Sequence, residues 1–259
     1  DFVGSRGLGD VYKRQVLNSI NNLYENRFIQ AQNLANVSVP GYRKDISVKP
    51  TGSVFLDLEG SLPSRALALR EDRNKFDGTP GAIDRTDNDL DVAVRGQGYM
   101  YGQVGDTPFL TRRGDLSVSA QGQLVNGAGQ NILNAELNPI DIPPNRKIKI
   151  SEDGQIFITP IGAEDGVEQQ VDTIGLTLAT GALLKKSPDG QIRNLDGGVP
   201  PVDQQASVVQ GFVELANVNV VEELVNSIEN QRHYEINIKM IVTAKDMDES
   251  STSLLSLPS

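Results

Sequence analysis

The sequence predicts an α+β protein: a helix at each chain end, the two pairing in a coiled-coil-like discontinuous domain, with an all-β central domain inserted between them. Three observations carry this expectation. Apolar residues recur at helical spacing in two long stretches without Gly or Pro, one near each end. Turn dipeptides break the region between them into short segments. Gly 25 and Pro 13 in 259 residues supply the turns such a centre needs, while aromatics at 5% and the absence of Trp argue against a core of large rings.

The N-terminal helix is expected over 16–35, with Leu17, Ile20, Tyr24, Ala31 and Leu34 on one face, widened by Leu23 and Phe28. Val39-Pro40-Gly41 stops it and starts a turn. The first fifteen residues are Gly-rich and interrupt the helical pattern, so they read as a non-native leader outside the fold. The C-terminal helix is expected from Val218 to about Met247, ending by Ser251. Its Val221, Leu224, Ile228, Ile238 and Val242 fall near heptad spacing, flanked by Val220, Val225, Tyr234 and Ile241. Gln231, Glu235 and Lys245 interrupt the seam. Neither helix has a neighbouring helical segment except the other, which favours pairing of the ends.

Between them, Leu90–Val94 alternates with period two, and further strands are expected over 99–104, 116–119, 123–125, 147–150 and 155–158. Asn126-Gly127 and Asp153-Gly154 are hairpin turn signals; Ser187-Pro188-Asp189-Gly190 and Asp196-Gly197-Gly198 punctuate the later part. The expected division is a terminal helical assembly domain of 16–45 plus 208–259, an extended connector over 46–79 and a β-rich domain over 80–207. A short helix is expected around Arg65 to Arg70.

Composition removes several function classes. Net charge is −10 and no basic stripe is interleaved with aromatics, so no nucleic-acid partner is expected. The absence of Cys excludes disulfides, thiolate nucleophiles and Cys-based metal sites. No apolar run reaches membrane-spanning length, and no cleaved secretory signal is evident. His233, the only histidine, lies beside Arg232 and Tyr234 with no second His to complete a catalytic or metal set. Asp87, Asp89 and Asp91 match the start of a calcium loop, but Val92 stands at the turn Gly and Gly98 at the bidentate Glu. Gly96-x-Gly98 and Gly127-x-Gly129 complete no phosphate-binding pattern and read as tight turns. No catalytic residue, cofactor or metal is expected.

The motifs converge on one family. The run 32–44, with Asn33-Leu34-Ala35-Asn36 and then Gly41-Tyr42-Arg43-Lys44, resembles the N-terminal signature of flagellar rod and hook proteins. Gly78-Thr79-Pro80-Gly81, 85–94, Gly96-Gln97-Gly98-Tyr99, Phe109-Leu110-Thr111-Arg112-Arg113-Gly114 and Gly122-Gln123-Leu124-Val125 follow in the family's order. Gln210-Gly211-Phe212-Val213-Glu214, 217–224 and Gln231-Arg232-His233-Tyr234-Glu235 resemble its C-terminal signature. The resemblance covers essentially 16–250, and the short connector is most similar to the proximal-rod branch, with the distal rod the nearest rival.

That resemblance implies a non-enzymatic structural subunit of the periplasmic rod, exported by the flagellar type III apparatus without a cleaved signal peptide. Implied partners are other rod and axial proteins and further copies of itself in a helical assembly. The expected assembly residues are Asn33, Leu34, Asn36, Gly41 and Tyr42 in the N-terminal motif, and Leu224, Ile228, Tyr234, Ile238 and Ile241 on the C-terminal stripe. Within the first group, the Asn side chains can bond exposed backbone at the helix end, and Gly41 permits the turn. The rival of another class is a β-rich extracellular binding module with helical ends.

Overall fold

A computed structural model of the chain describes residues 3–46, 50–55, 66–70, 75–162, 167–187 and 189–255. It is α+β, with one long helix before and one after a β-rich centre in chain order. The chain divides into two compact units. One comprises Asp1–Leu34, Ile46–Arg73 and Asn219–Ser259; the other comprises Ala35–Asp45 and Asn74–Val218. Among the described residues no helix is long and apolar enough to cross a membrane.

The helical unit contains α1 (Val3–Ala35), β1 (Pro50–Phe55), β2 (Ala66–Arg70) and α2 (Val220–Leu255). Helix α1 is continuous from Val3, through the glycines expected to interrupt it, and α2 runs on past Ser251 to Leu255. Asn219 caps α2: its Oδ1 accepts the N–H groups of Val221 at 3.0 Å and Glu222 at 3.3 Å. Glu222 and Glu223 in the first turn complement the helix dipole. The helix expected around Arg65 to Arg70 is a strand where it is described: β2 pairs antiparallel with β1, Leu67 opposite Val54. Ala-Leu-Ala-Leu-Arg is rich in helix formers, but five residues are too few to nucleate a helix against a ready ladder. Arg65 and the rest of 56–65 lie outside the described residues.

The β unit opens with β3 (Ile83–Arg85), β4 (Val92–Arg95), β5 (Tyr99–Val104), β6 (Thr107–Thr111), β7 (Leu116–Val118), β8 (Leu124–Asn126) and β9 (Asn131–Ile132). It continues with β10 (Asn145–Ile150), β11 (Gln155–Pro160), β12 (Gln169–Thr173), β13 (Leu176–Thr177), β14 (Leu184–Lys186) and β15 (Ile192–Asn194). It closes with β16 (Ser207–Gln210) and β17 (Phe212–Glu214). The largest sheet runs β14-β15-β6-β5-β9-β8-β7, with β13 also on β5, and β10-β11-β12 form a second.

Period-two patterning explains the second sheet. Ile148 faces Ile158 and Ile150 faces Ile156 across the β10–β11 hairpin, so four isoleucines share one buried face. Gly154, at φ +80°, turns that hairpin. These residues join a continuous aliphatic core with Val92, Val94, Met100, Leu124, Ile132, Ile140 and Ile174. Each fully buried side chain of this size contributes about 1.5–3 kcal/mol. Tyr99, Tyr101, Leu110, Leu133 and Ile192 form a smaller cluster. There the Tyr101 hydroxyl donates to the Pro200 carbonyl at 2.9 Å, and burial pushes its pKa up to about 12.

Two expectations change in this unit. Strand β4 does not alternate: Val92, Ala93 and Val94 are all fully buried, which marks a strand covered on both faces. Residues 35–45 and 208–218, expected with the helical ends, group with the β unit. Strand β16 pairs with β4 (Val208 opposite Val94) and β17 with β3 (Val213 opposite Asp84), so the last strands close on the first. Of the expected connector, the described residues 46, 50–55 and 66–70 group with the helices and 75–79 with the β unit.

Candidate functional site: a charged clamp at the neck and an apolar face on the C-terminal helix

The two legs of chain that lead out of the β unit, Ala35–Asp45 and the segment after β17, lie side by side within it. Gly41 N–H donates to the Glu214 carbonyl at 2.7 Å, and Asn217 N–H to the Tyr42 carbonyl at 3.2 Å. Lys44 N–H donates to Asn217 Oδ1 at 2.6 Å, while Asn217 Nδ2 reaches the carbonyls of Asp77 at 3.0 Å and Thr79 at 2.9 Å. The Asn217 side chain therefore serves three backbone groups from two segments. Gly41 makes the approach of the first leg feasible. It sits at φ +68°, and a Cβ there would overlap the Arg112 carbonyl.

A buried charge cluster bridges the two legs. Glu214 is 0% exposed and accepts from both sides. Its Oε1 lies 2.7 Å from Arg43 Nη1 and takes the Gly81 N–H at 2.8 Å. Its Oε2 takes the Arg112 Nε–H at 2.6 Å and lies 2.6 Å from Arg112 Nη2. Arg112 also donates to the carbonyls of Gly98, Val94 and Gly96, at 2.6, 2.8 and 2.9 Å. The Gly96-x-Gly98 turn is thus a carbonyl cradle for a guanidinium. Burial and the neighbouring Arg112 charge lower the Arg43 pKa, and Glu214 opposes them.

A second buried cation holds the same leg. Lys186, on β14, lies 2.7 Å from Asp45 Oδ1, donates to the Arg43 carbonyl at 2.6 Å and sits 4.1 Å from the centre of the Tyr42 ring. The Tyr42 hydroxyl donates to Asp45 Oδ2 at 3.0 Å. Burial lowers the Lys186 pKa, and the Asp45 carboxylate opposes the shift.

The expected assembly residues divide accordingly. Gly41 and Tyr42 are in the neck; Asn33 is buried near the end of α1, with Leu34 and Asn36 partly buried. On α2, Leu224 is 50% exposed, Ile228 57% and Ile238 39%, while Tyr234 and Ile241 are partly covered. Val221, Val225, Ile236, Met240, Val242 and Met247 extend the exposed apolar surface of this helix. On α1, Tyr24 and Phe28 are exposed, whereas Asn22, Leu23, Gln30 and Asn33 are buried. The expected stripe is therefore split: Leu23 is buried, Ile20 and Leu34 are partly buried, and Tyr24, Phe28 and Ala31 are exposed. Among the described residues, the Tyr24 and Tyr234 rings of α1 and α2 pack edge to face at 5.7 Å, and Asn237 Nδ2 donates to Ser19 Oγ at 3.0 Å. His233 is exposed on α2.

The sequence alone does not single out Arg43, Arg112, Lys186, Glu214 or Asn217 as functional. Four of the five lie inside the family-like motifs, and that membership is the one signal that could have pointed to them. Lys186 carries none.

The described geometry is a β-rich insert between helical ends in chain order, with two legs of chain clamped together in the β unit and exposed apolar side chains along α2. Two family models match: flagellar hook protein FlgE/F/G D1 domain over residues 93–158, and flagellar basal body rod FlgEFG protein C-terminal over 209–254. The first spans Arg112; the second spans Glu214 and Asn217. Among curated relatives, the flagellar basal-body rod protein FlgF of Escherichia coli (strain K12) is 31% identical over 237 residues, covering 88% of this chain and 92% of its own. FlgF of Caulobacter vibrioides is 30% identical over 231 residues, with 88% and 90% covered. The rod protein FlgG of Buchnera aphidicola subsp. Acyrthosiphon pisum is 31% identical over 250 residues, with 88% and 94% covered. The chain belongs to the flagellar basal-body rod protein family.

Proposed function

We propose that this chain is a structural subunit of the proximal rod, polymerising through its terminal helices and carrying torque as part of the rod. The observation that carries the reading is the exposed row Val221, Leu224, Val225 and Ile228 on α2, in a chain of the rod family. Large aliphatic side chains at half exposure along one helix mark an interaction surface rather than a solvated face. Head-to-tail contacts that do not close generate a helical assembly. Asn33, Leu34, Asn36, Gly41 and Tyr42 belong to this machinery on the N-terminal side, and Tyr234, Ile238 and Ile241 on the C-terminal side. The Tyr24–Tyr234 and Ser19–Asn237 contacts support coiled-coil-like pairing of the ends. Other rod and axial proteins are its neighbours, the periplasmic rod its location, and flagellar type III export without a cleaved signal its route.

The proximal assignment is supported by alignment length. The same 88% of this chain spreads over 237 residues against Escherichia coli FlgF but over 250 against Buchnera FlgG, so FlgG carries additional segments opposite gaps here.

Deleting the gene is expected to give non-motile cells with truncated rods, and mass spectrometry of wild-type basal bodies is expected to detect this chain. Intact, rotating flagella that lack it would sink the reading. Ile228→Asp is expected to cut incorporation more than about tenfold while leaving the β unit folded, because an unpaired carboxylate buried in an interface costs well above about 1.4 kcal/mol. Recovery of that variant in basal bodies at normal amounts would refute the helix as the assembly surface.

A further inference from the structure

The neck holds one more cation than its ion pairing requires. Glu214 and Arg112 already form a neutral pair, with the Gly81 N–H on the carboxylate and three carbonyls on the guanidinium. Arg43 adds a second buried guanidinium at 1% exposure, which leaves the trio with a net charge of +1. Its Nε has no hydrogen-bond partner among the described residues. An incompletely bonded buried cation beside another is weak evidence of a purely stabilising role. Arg43 instead does something geometric. It reaches from the first leg to Glu214 on the second, and Nη1 also donates to the Thr79 carbonyl at 2.5 Å.

We propose that Arg43 is a positioning residue, locking the Gly41–Asp45 leg against the Glu214–Asn217 leg in the free subunit, before any neighbour binds. Lys186 backs it by holding the Arg43 carbonyl and Asp45. The legs then leave the β unit in fixed register, and the ordering entropy of the neck is lost on folding rather than on assembly. The link to assembly rests on the rod reading; the locking itself does not.

Residue-resolved hydrogen exchange on the full-length chain tests this. The N–H groups of Gly41, Lys44 and Asn217 each donate from one leg to the other. Those of Tyr101 and Leu133 report on the sheet, donating to the Gly175 and Tyr101 carbonyls. In the wild-type monomer all five are expected to be protected. Arg43→Met should speed exchange of the first three by roughly tenfold or more, leave Tyr101 and Leu133 unchanged, and lower incorporation into rods. Arg43→Lys, whose ammonium can still meet Glu214, should recover most of the protection. Unprotected leg amides in the wild type, or unchanged protection in Arg43→Met, would overturn the proposal. So would loss of protection that reaches Tyr101 and Leu133, since that marks a general structural role. A wild-type chain absent from basal bodies would overturn the rod reading, while the exchange pattern would still decide the lock.

Discussion

Glu214→Ala is expected to destabilise the β unit by about 3–5 kcal/mol, the cost of breaking a buried ion pair from one side. The reason is the asymmetry of the cluster. Removing the carboxylate strands two guanidiniums, at 1% and 2% exposure, with only carbonyl dipoles to offset them. It also leaves the Gly81 N–H without its acceptor. Domains are typically stable by only about 5–15 kcal/mol, so the variant should sit near the threshold of folding. Arg43→Met acts in the opposite sense on charge, taking the trio from +1 to neutral, and should cost far less. The ordering is checked by urea unfolding midpoints of the wild type and the two variants. Glu214→Ala more stable than Arg43→Met would mean that the carboxylate is not the keystone of the neck.

What the sequence made legible follows from the range of each signal. Ile148, Ile150, Ile156 and Ile158 announce a hairpin because period two and a Gly-containing turn are local, and the structure pairs them across β10 and β11. Val39-Pro40-Gly41 is equally local, and the turn stands there with Gly41 at φ +68°. At Ala66–Arg70 propensity speaks for a helix, but the partner strand β1 decides the outcome, and propensity does not see it. The clamp is illegible for a stronger reason. Arg112 and Glu214 are 102 positions apart, and nothing near either one in sequence distinguishes a buried guanidinium from a solvated one. On α1 the periodicity identifies a face, but not whether anything covers it. Tyr24 and Phe28 remain exposed at 54% and 70%, while Leu23 is buried together with Asn22, Gln30 and Asn33. On the function proposed above, the exposed Tyr24 and Phe28 are surface for neighbours that a single chain does not contain.

Gly41→Ala should be the most damaging conservative change in the N-terminal motif, through two separable effects. A non-Gly residue held at φ +68° stores about 1–3 kcal/mol of backbone strain. The added Cβ would also run into the Arg112 carbonyl and the Arg113 amide nitrogen, and crowding a packed site costs about another 1–3 kcal/mol. The second effect is the informative one, because those atoms are backbone and cannot swing aside as a flexible side chain could. Gly105, in the β5–β6 turn, isolates the first: it sits at φ +58°, and a methyl added there would meet nothing within 4 Å. Gly105→Ala should therefore show the strain alone. Gly41→Ala should lose appreciably more in urea unfolding and should also weaken the Gly41 N–H bond to Glu214, loosening the first leg. Equal losses for the two substitutions would show that the legs yield around the methyl. The neck would then be a compliant joint rather than a rigid one, and the locking role assigned to Arg43 would lose the close backbone approach on which it depends.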